Sequence, residues 1–341
     1  MRRPDATAAP TAPTATAAAT ATAPARRRSG IVLASLAALA LAASALFLTY
    51  GVDGHWDFAL PRRLETLAAL IVVGTAIAVA TVLFQTAAQN RILTPAIMGF
   101  DALYVLVAAA IVYVTGANAS AVLGPVGAFV LNAALMTAAA VALYRWLIGD
   151  GSRGLYTLIL VGVIAGTLFG SLSQFLLRTM DPNAYDLLMA DLFASFTSVD
   201  PRLLVAATAL TAAGCAAAWW LAPRLDVLAL GRERAIGLGV DYRHTVTLAM
   251  TVVAVLVSAA TALVGPLTFL GLIVANLAYQ VTRTFRHRVT LPAAALIAAI
   301  ALATGQTVLQ HVLGFNGTLG SLVALAGGIY FVLLLLKEAR S

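Results

Sequence analysis

Charge is scarce in this chain: only 10% of its 341 residues are Asp, Glu, Lys or Arg, and lysine, cysteine and histidine are rarer still. The one lysine, Lys337, lies near the C-terminus, so no G-x-x-x-x-G-K-[ST] phosphate loop exists and ATP binding through such a loop is excluded. The one cysteine, Cys215, excludes an internal disulfide framework and a cysteine-based metal site; inside an apolar run it reads as a small buried hydrophobe. His55, His244, His287 and His311 stand apart at the ends of apolar segments with no H-x-x-x-H pair, and read as interfacial residues rather than ligands. Neither G-x-S-x-G nor D-D-x-x-D occurs. Without a nucleophile–base or metal constellation, an enzyme is not expected, and no catalytic residue, metal site or cofactor is assigned to this chain.

What remains is apolar. Hydrophobic residues make up 61% of the chain and the mean hydropathy is +0.94. Apolar runs of about 20 residues recur, the length that crosses a bilayer as a helix, whereas the alternating ~10-residue segments of a membrane barrel are not seen. The expectation is an all-α polytopic membrane protein. Its spans are placed at 31–50, 64–86, 96–115, 121–147, 155–177, 202–222, 244–264, 266–282, 289–310 and 318–336, which makes ten transmembrane helices. A helix-breaking Gly265-Pro266 pair divides the seventh from the eighth. Residues 1–29 form an Ala/Thr/Pro-rich tail with little to bury, expected to be disordered and cytoplasmic, ahead of a ten-helix membrane domain over 30–338. The Arg26-Arg27-Arg28 cluster before the first run is like that of a signal peptide, but the run is long enough to span and is expected to be retained.

Arginine placement orients the chain. With both termini in the cytoplasm, seventeen of the 21 basic residues fall in inner segments, and only Arg62, Arg63, Arg178 and Arg202 fall outside. The net charge of +7 is this bias, so no nucleic-acid partner is needed to explain it. The expected location is a multi-pass protein of the inner (cell) membrane, in contact with lipid.

Residues 223–243 form the longest internal cytoplasmic loop. Within it ALGRERAIGLGV (229–240) places Leu230, Ala235, Ile236 and Leu238 at rough helical spacing beside Arg232, Glu233 and Arg234. Gly237 and Gly239 would end that short helix. Two readings stand: an interfacial helix snorkelling its arginines to headgroups, or a docking element for a cytoplasmic partner. Elsewhere the acids lie in loops and near helix ends. Glu65, one turn into the second span, reads as an interfacial helix start helped by the dipole. Asp101, near the inner end of the third, either pairs with a neighbouring helix or lines the inner mouth of a pathway. Gly162, Gly166 and Gly170 share one face of the fifth span, where small residues let helices approach closely. A multi-span chain with no phosphate loop and no proton relay needs energy from elsewhere, which favours the permease half of a system whose ATPase is a separate chain.

The ordered pieces LPRRLETLAALIVVGTAIAVATVLFQTAAQNRILTPAIMGFDALY (60–104), ALGRERAIGLGV (229–240), ALVGPLTFLGLIVANLAYQVTRTFRHR (262–288) and TLGSLVALAGGIYFVLLL (318–335) resemble the FecCD family. Members are permease subunits of type II ABC importers for iron–siderophore complexes, haem and cobalamin, and the likeness covers about residues 55–338. It implies the ten-helix type II permease fold. Two copies of a cytoplasmic ABC ATPase would hold ATP and Mg, an extracytoplasmic substrate-binding protein would deliver cargo, and a second permease subunit, identical or paralogous, would complete the path. The family's coupling helices map onto Gly231, Arg232, Glu233, Ala235, Gly237, Leu238 and Gly239. Its L-P-R element maps onto Leu60-Pro61-Arg62, which makes Arg62, with Arg63 beside it, the candidate contact for the binding protein; an ordinary helix-end role is the alternative. The fifth helix of the family lines the path, so Gly162, Gly166 and Gly170 would let a gate slide.

The chain departs from the family at several points. Ala59 replaces an arginine that cobalamin-type members carry, and Ala275-Asn276 stands where many members have Pro-His after the F-x-G-L motif. The N-P-L-x-x-P turn becomes Asn90-Arg91-Ile92-Leu93-Thr94-Pro95. T-P-x-I-M-G-F-D-A-L-Y resembles the branch that handles catecholate or mixed-ligand siderophores of petrobactin, vibriobactin or anguibactin type. Asp101 and Asn276 are accordingly expected on the translocation path. The alternatives are the same family carrying cobalamin or haem and, from another class, an ion-coupled secondary transporter, which would show inverted repeats and an intramembrane charge.

Overall fold

The computed structural model describes residues 15–52, 54, 56–117, 119–148, 155–192, 196, 199–314 and 317–338. Among these residues the regular elements are twelve α-helices and one 3₁₀ turn. They are α1 (Ala15–Thr49), α2 (Trp56–Ala87), the 3₁₀ turn Pro95–Met98, α3 (Phe100–Thr115), α4 (Ala119–Ile148), α5 (Leu155–Thr179), α6 (Pro182–Leu192), α7 (Pro201–Leu228), α8 (Arg232–Gly237), α9 (Tyr242–Val264), α10 (Leu270–Thr282), α11 (His287–His311) and α12 (Leu319–Glu338).

Each of the ten expected apolar segments coincides with a helix, and α6 and α8 are additions in the connecting loops. Seven of the helices among the described residues are long and apolar enough to cross a membrane, while Phe100–Thr115, Leu270–Thr282 and Leu319–Leu333 are shorter apolar helices. At 1.5 Å per residue the 13-residue α10 is about 20 Å long, short of a ~30 Å hydrocarbon layer.

Two expected boundaries move, and one expected span is interrupted. Of the tail expected to be disordered over 1–29, residues 1–14 lie outside the described residues, and α1 already begins at Ala15. Alanine, the best helix former, dominates 15–25 and extends the first helix backward. The loop expected over 223–243 shortens, because α7 continues past Pro223 to bury Leu225 and Leu228 completely. Within α4, Gly124 (φ 73°, ψ 164°) before Pro125 interrupts the helix.

The core is built on α2, α9 and α11, whose most apolar windows are 72%, 61% and 56% buried, against 11% for α5. Small side chains allow this. Ala69, Ala76, Ala78 and Ala80 of α2 are fully buried, and a Cβ on Gly74 would meet Leu302 of α11 at 3.0 Å. Threonines inside these helices return their hydroxyls to the preceding turn, Thr81 to Ile77 O at 2.7 Å and Thr307 to Ala303 O at 2.8 Å, while the buried hydroxyl of Ser258 in α9 has no hydrogen-bond partner. Helix starts are marked by acids: Asp200 accepts from Arg202 N with Pro201 at the first helical position, and Asp241 accepts from His244 N.

Candidate functional site

The loop between α7 and α9 is ordered by its own sequence. Gly231 (φ 98°) turns the chain into α8, and Gly239 (φ 82°) turns it out. At the exit Val240 N donates to Ala235 O at 3.0 Å and Gly239 N to Ile236 O at 2.9 Å, the paired bonds of a Schellman cap around a left-handed glycine. Ala235 is fully buried and anchors the helix, and Arg232 lies 5.7 Å from the Tyr242 ring centroid. Leu230, Ile236 and Leu238 instead stay 49%, 53% and 63% exposed, while Glu233, Arg234 and Gly237 face outward with them. Fully burying a leucine or isoleucine is worth about 1.5–3 kcal/mol, so each of these half-exposed side chains offers roughly 1 kcal/mol to an apolar groove. The segment thus buries one alanine and displays three large aliphatic side chains between charges.

A second arrangement lies inside the helical bundle. Two breaks meet there: the 94–99 segment ahead of α3, and the 265–269 segment between α9 and α10. Gly99 (φ 84°) and Gly265 (φ 89°) supply the turns, and Phe269 is held at φ 67°. Thr268 Oγ1 donates to Asp101 Oδ2 at 3.2 Å, joining the two. Thr81, Thr94, Thr261, Asp101 and Phe269 line a cavity of about 30 Å³ at the junction, space for a single water. Gly271, at the start of α10, packs directly on Thr81, which is six residues or about 9 Å before the end of α2. Irregular backbone within a membrane is tolerated only where protein covers it or it lines a cavity; here Gly265 and Leu267 are buried, while Thr268 is exposed beside the cavity. Asp101 therefore pairs across to the neighbouring break and at the same time lines this internal cavity.

The glycines of α5 divide between two environments. A Cβ on Gly162 would meet Met98 at 3.0 Å, and Gly99 lies against the Gly166 backbone, so both seat the 95–99 turn on α5. Gly170 meets nothing within 4 Å. The outer face of α5 leaves Leu160, Ile164, Leu168 and Phe175 exposed. Asn276 is buried and donates to Leu272 O at 3.0 Å and Arg91 O at 3.3 Å, tying α10 to the loop after α2. At the opposite end of the molecule Arg63 Nη1 donates to the carbonyls of Phe47, Leu48 and Tyr50, capping the C-terminus of α1, while Arg62 is exposed. Arg63 thus caps α1, and Arg62 is exposed at the surface.

Sequence reasoning passed over a buried cluster at the root of the α8 loop. His287, read as interfacial, is 3% exposed. Its Nδ1 lies 2.7 Å from Asp226 Oδ1, its backbone N donates to the same oxygen at 2.8 Å, and its Nε2 lies 2.7 Å from Thr86 Oγ1. Gln89, held at φ 49°, donates from Nε2 to Leu228 O and Thr86 O, both at 2.8 Å. Beside them a cavity of about 210 Å³ is lined by Gln85, Gln89, Asn90, Arg91, Tyr279 and Phe285, with Arg91 between the Tyr279 and Phe285 rings at 4.8 and 4.9 Å. The signal available in the sequence was Asp226, an acid two residues after Arg224 in a helix end that is otherwise largely apolar.

Comparison with known proteins places this geometry. The sequence model of the FecCD transport family matches residues 31–337. The petrobactin import system permease protein YclO of Bacillus subtilis (strain 168) is 40% identical over 314 residues, covering 92% of this chain and 99% of that protein. The petrobactin import system permease protein FatC of Bacillus anthracis is 32% identical, covering 92% and 90%. Among solved structures, an inward-facing metal-chelate type ABC transporter superposes with a TM-score of 0.79 at 22% identity, covering 91% of this chain and 99% of that one, which shows a shared fold.

Proposed function

Because the chain belongs to the FecCD transport family of ABC-importer permease subunits, in which a separate chain hydrolyses ATP, we propose that it moves a ferric siderophore of petrobactin type across the cell membrane. In this reading ten helices traverse or enter the bilayer with both termini in the cytoplasm, and a second permease subunit completes the path. Two cytoplasmic ATPases dock on α8, and an extracytoplasmic binding protein delivers cargo near Arg62. Nucleotide-driven closure of the ATPase pair moves α8, and the junction of helix breaks around Asp101 and Thr268 alternates access. Iron travels inside its chelate, so the chain needs no iron ligands of its own.

The observation that carries the reading is α8 itself. It is a capped helix whose Leu230, Ile236 and Leu238 stay exposed in a chain that lacks a phosphate loop. The petrobactin assignment rests on the two relatives above and on the T-P-x-I-M-G-F-D-A-L-Y stretch. Proteoliposomes containing the permease, its ATPase and its binding protein test both. Ile236→Asp is expected to abolish ATPase co-purification and lower uptake of ferric petrobactin at least about tenfold, since it removes an apolar contact and buries a charge. Retained co-purification and uptake would sink the docking assignment. Uptake of haem or cobalamin in preference to ferric petrobactin would overturn the substrate.

A further inference from the structure

Three helix ends converge beneath the α8 loop, and polar bonds hold them together. α7, which carries the loop on its C-terminus, reaches α11 through Asp226, whose single Oδ1 accepts the His287 backbone N–H and faces the ring Nδ1. The same imidazole reaches α2 through Thr86, 201 residues away in sequence. Gln89, just past the end of α2, returns to α7 at the Leu228 carbonyl, the last residue before the loop. The left-handed backbone of Gln89 is a strained conformation for a side chain of that size, and its two hydrogen bonds hold it there.

We propose that Asp226, His287, Thr86 and Gln89 form the joint through which movement of the α8 loop is passed to α2 and α11. They act as positioning residues that convert ATPase motion into transport. The proposal rests on α8 being the ATPase dock.

Three observations favour a joint over simple packing. First, the contacts are directional hydrogen bonds centred on the buried Thr86 and His287, with Asp226 half-buried and Gln89 at the surface, and such bonds fix both axial position and rotation, whereas aliphatic contacts allow helices to slide. Second, a cavity of about 210 Å³ opens beside the cluster, lined by Thr86, Gln89 and His287, so the bonded groups have room to shift with the helix ends that carry them. Third, α2 leads from the joint to the helix breaks. Thr86 is five residues, about 7.5 Å, from Thr81, against which Gly271 of α10 packs and which lines the Asp101 cavity. A shift of the α7 end is thereby delivered to the buried helix that walls the internal junction.

Proteoliposomes of the complete importer separate this role from docking and from folding. ATP hydrolysis and uptake of ferric petrobactin are measured in the same vesicles for wild type, Thr86→Val, His287→Asn and the double variant. Asn keeps a donor near the Nδ1 position but is too short to reach Thr86. Each single variant is expected to retain ATPase co-purification and hydrolysis while uptake per ATP falls about tenfold, a coupling loss of ordinary allosteric size. The double variant falls no further than either single one, and Thr86→Ser, which restores the hydroxyl, restores the ratio. An unchanged ratio in Thr86→Val overturns the joint even where His287→Asn does not assemble. So do losses that multiply in the double variant, or failure of Ser to rescue. Loss of ATPase binding in the variants would make the cluster part of the dock and also overturn it. A wild-type permease that never holds an ATPase would instead overturn the reading of α8, and the joint with it.

Discussion

Gly99 shows how much can rest on one hydrogen in place of a methyl. Its φ of 84° disfavours any L side chain, and an added Cβ would lie 2.5 Å from the Gly166 Cα on α5. Positive-φ strain and overpacking each cost about 1–3 kcal/mol, so Gly99→Ala is expected to destabilise by roughly 2–6 kcal/mol. A thermal melt of the detergent-solubilised protein reads this, and an unshifted melting temperature would refute the close approach. Gly170→Ala is the control on the same helix: its Cβ enters open space, so the melt should stay put or rise slightly. In the sequence the three glycines of α5 are equivalent, spaced four apart on one face. Only the arrival of Met98 and Gly99 against Gly162 and Gly166 makes them differ.

At the scale of elements, α8 was legible and the breaks around it were partly so. The aliphatic spacing of Leu230, Ala235, Ile236 and Leu238 with glycines at 237 and 239 specifies a short capped helix locally, without reference to the rest of the fold, because every bond in its cap is within six residues. Replacing Gly239 by Ala is therefore expected to cost about 1 kcal/mol of local order, seen as faster amide exchange over 232–240 with the remaining helices unaffected. Uniform acceleration across all helices would contradict a locally determined turn. The Gly265-Pro266 break was equally clear, but its depth was not. Sequence marks where a helix must stop, while the packing of Gly271 on Thr81 sets where that stop lies along α2. The consequence is a 13-residue α10 in place of a full-length span. The Asp226–His287–Thr86 cluster escaped notice for a related reason: its members are 61 and 201 residues apart, and no local pattern links an acid at one helix end to a histidine at the start of another.

For the whole molecule, the scarcity of charge decides class and the placement of arginine predicts sidedness. Cys215 is the single cysteine, so a Cys215→Ser background admits one reporter thiol at a time. A cysteine at Leu230 should react with an impermeant maleimide only from the cytoplasmic face, and one at Arg62 only from the outer face. Labelling of both from the same side would invalidate the topology, and with it the assignment of α8 to the ATPase side. The sequence alone determined a helical membrane protein, the ten apolar segments, the short capped helix α8 and the likeness to a transport family. Hydropathy, helix capping and positive-inside bias all act over a few turns of chain. Tertiary structure alone decided that Arg63 caps α1 while Arg62 stays exposed, that Asp101 meets Thr268 across two helix breaks, and that His287 is buried between Asp226 and Thr86. Each of these depends on which helix ends come to lie side by side, and that is settled by the close packing of small residues on α2, α9 and α11, not by any run of residues read in order.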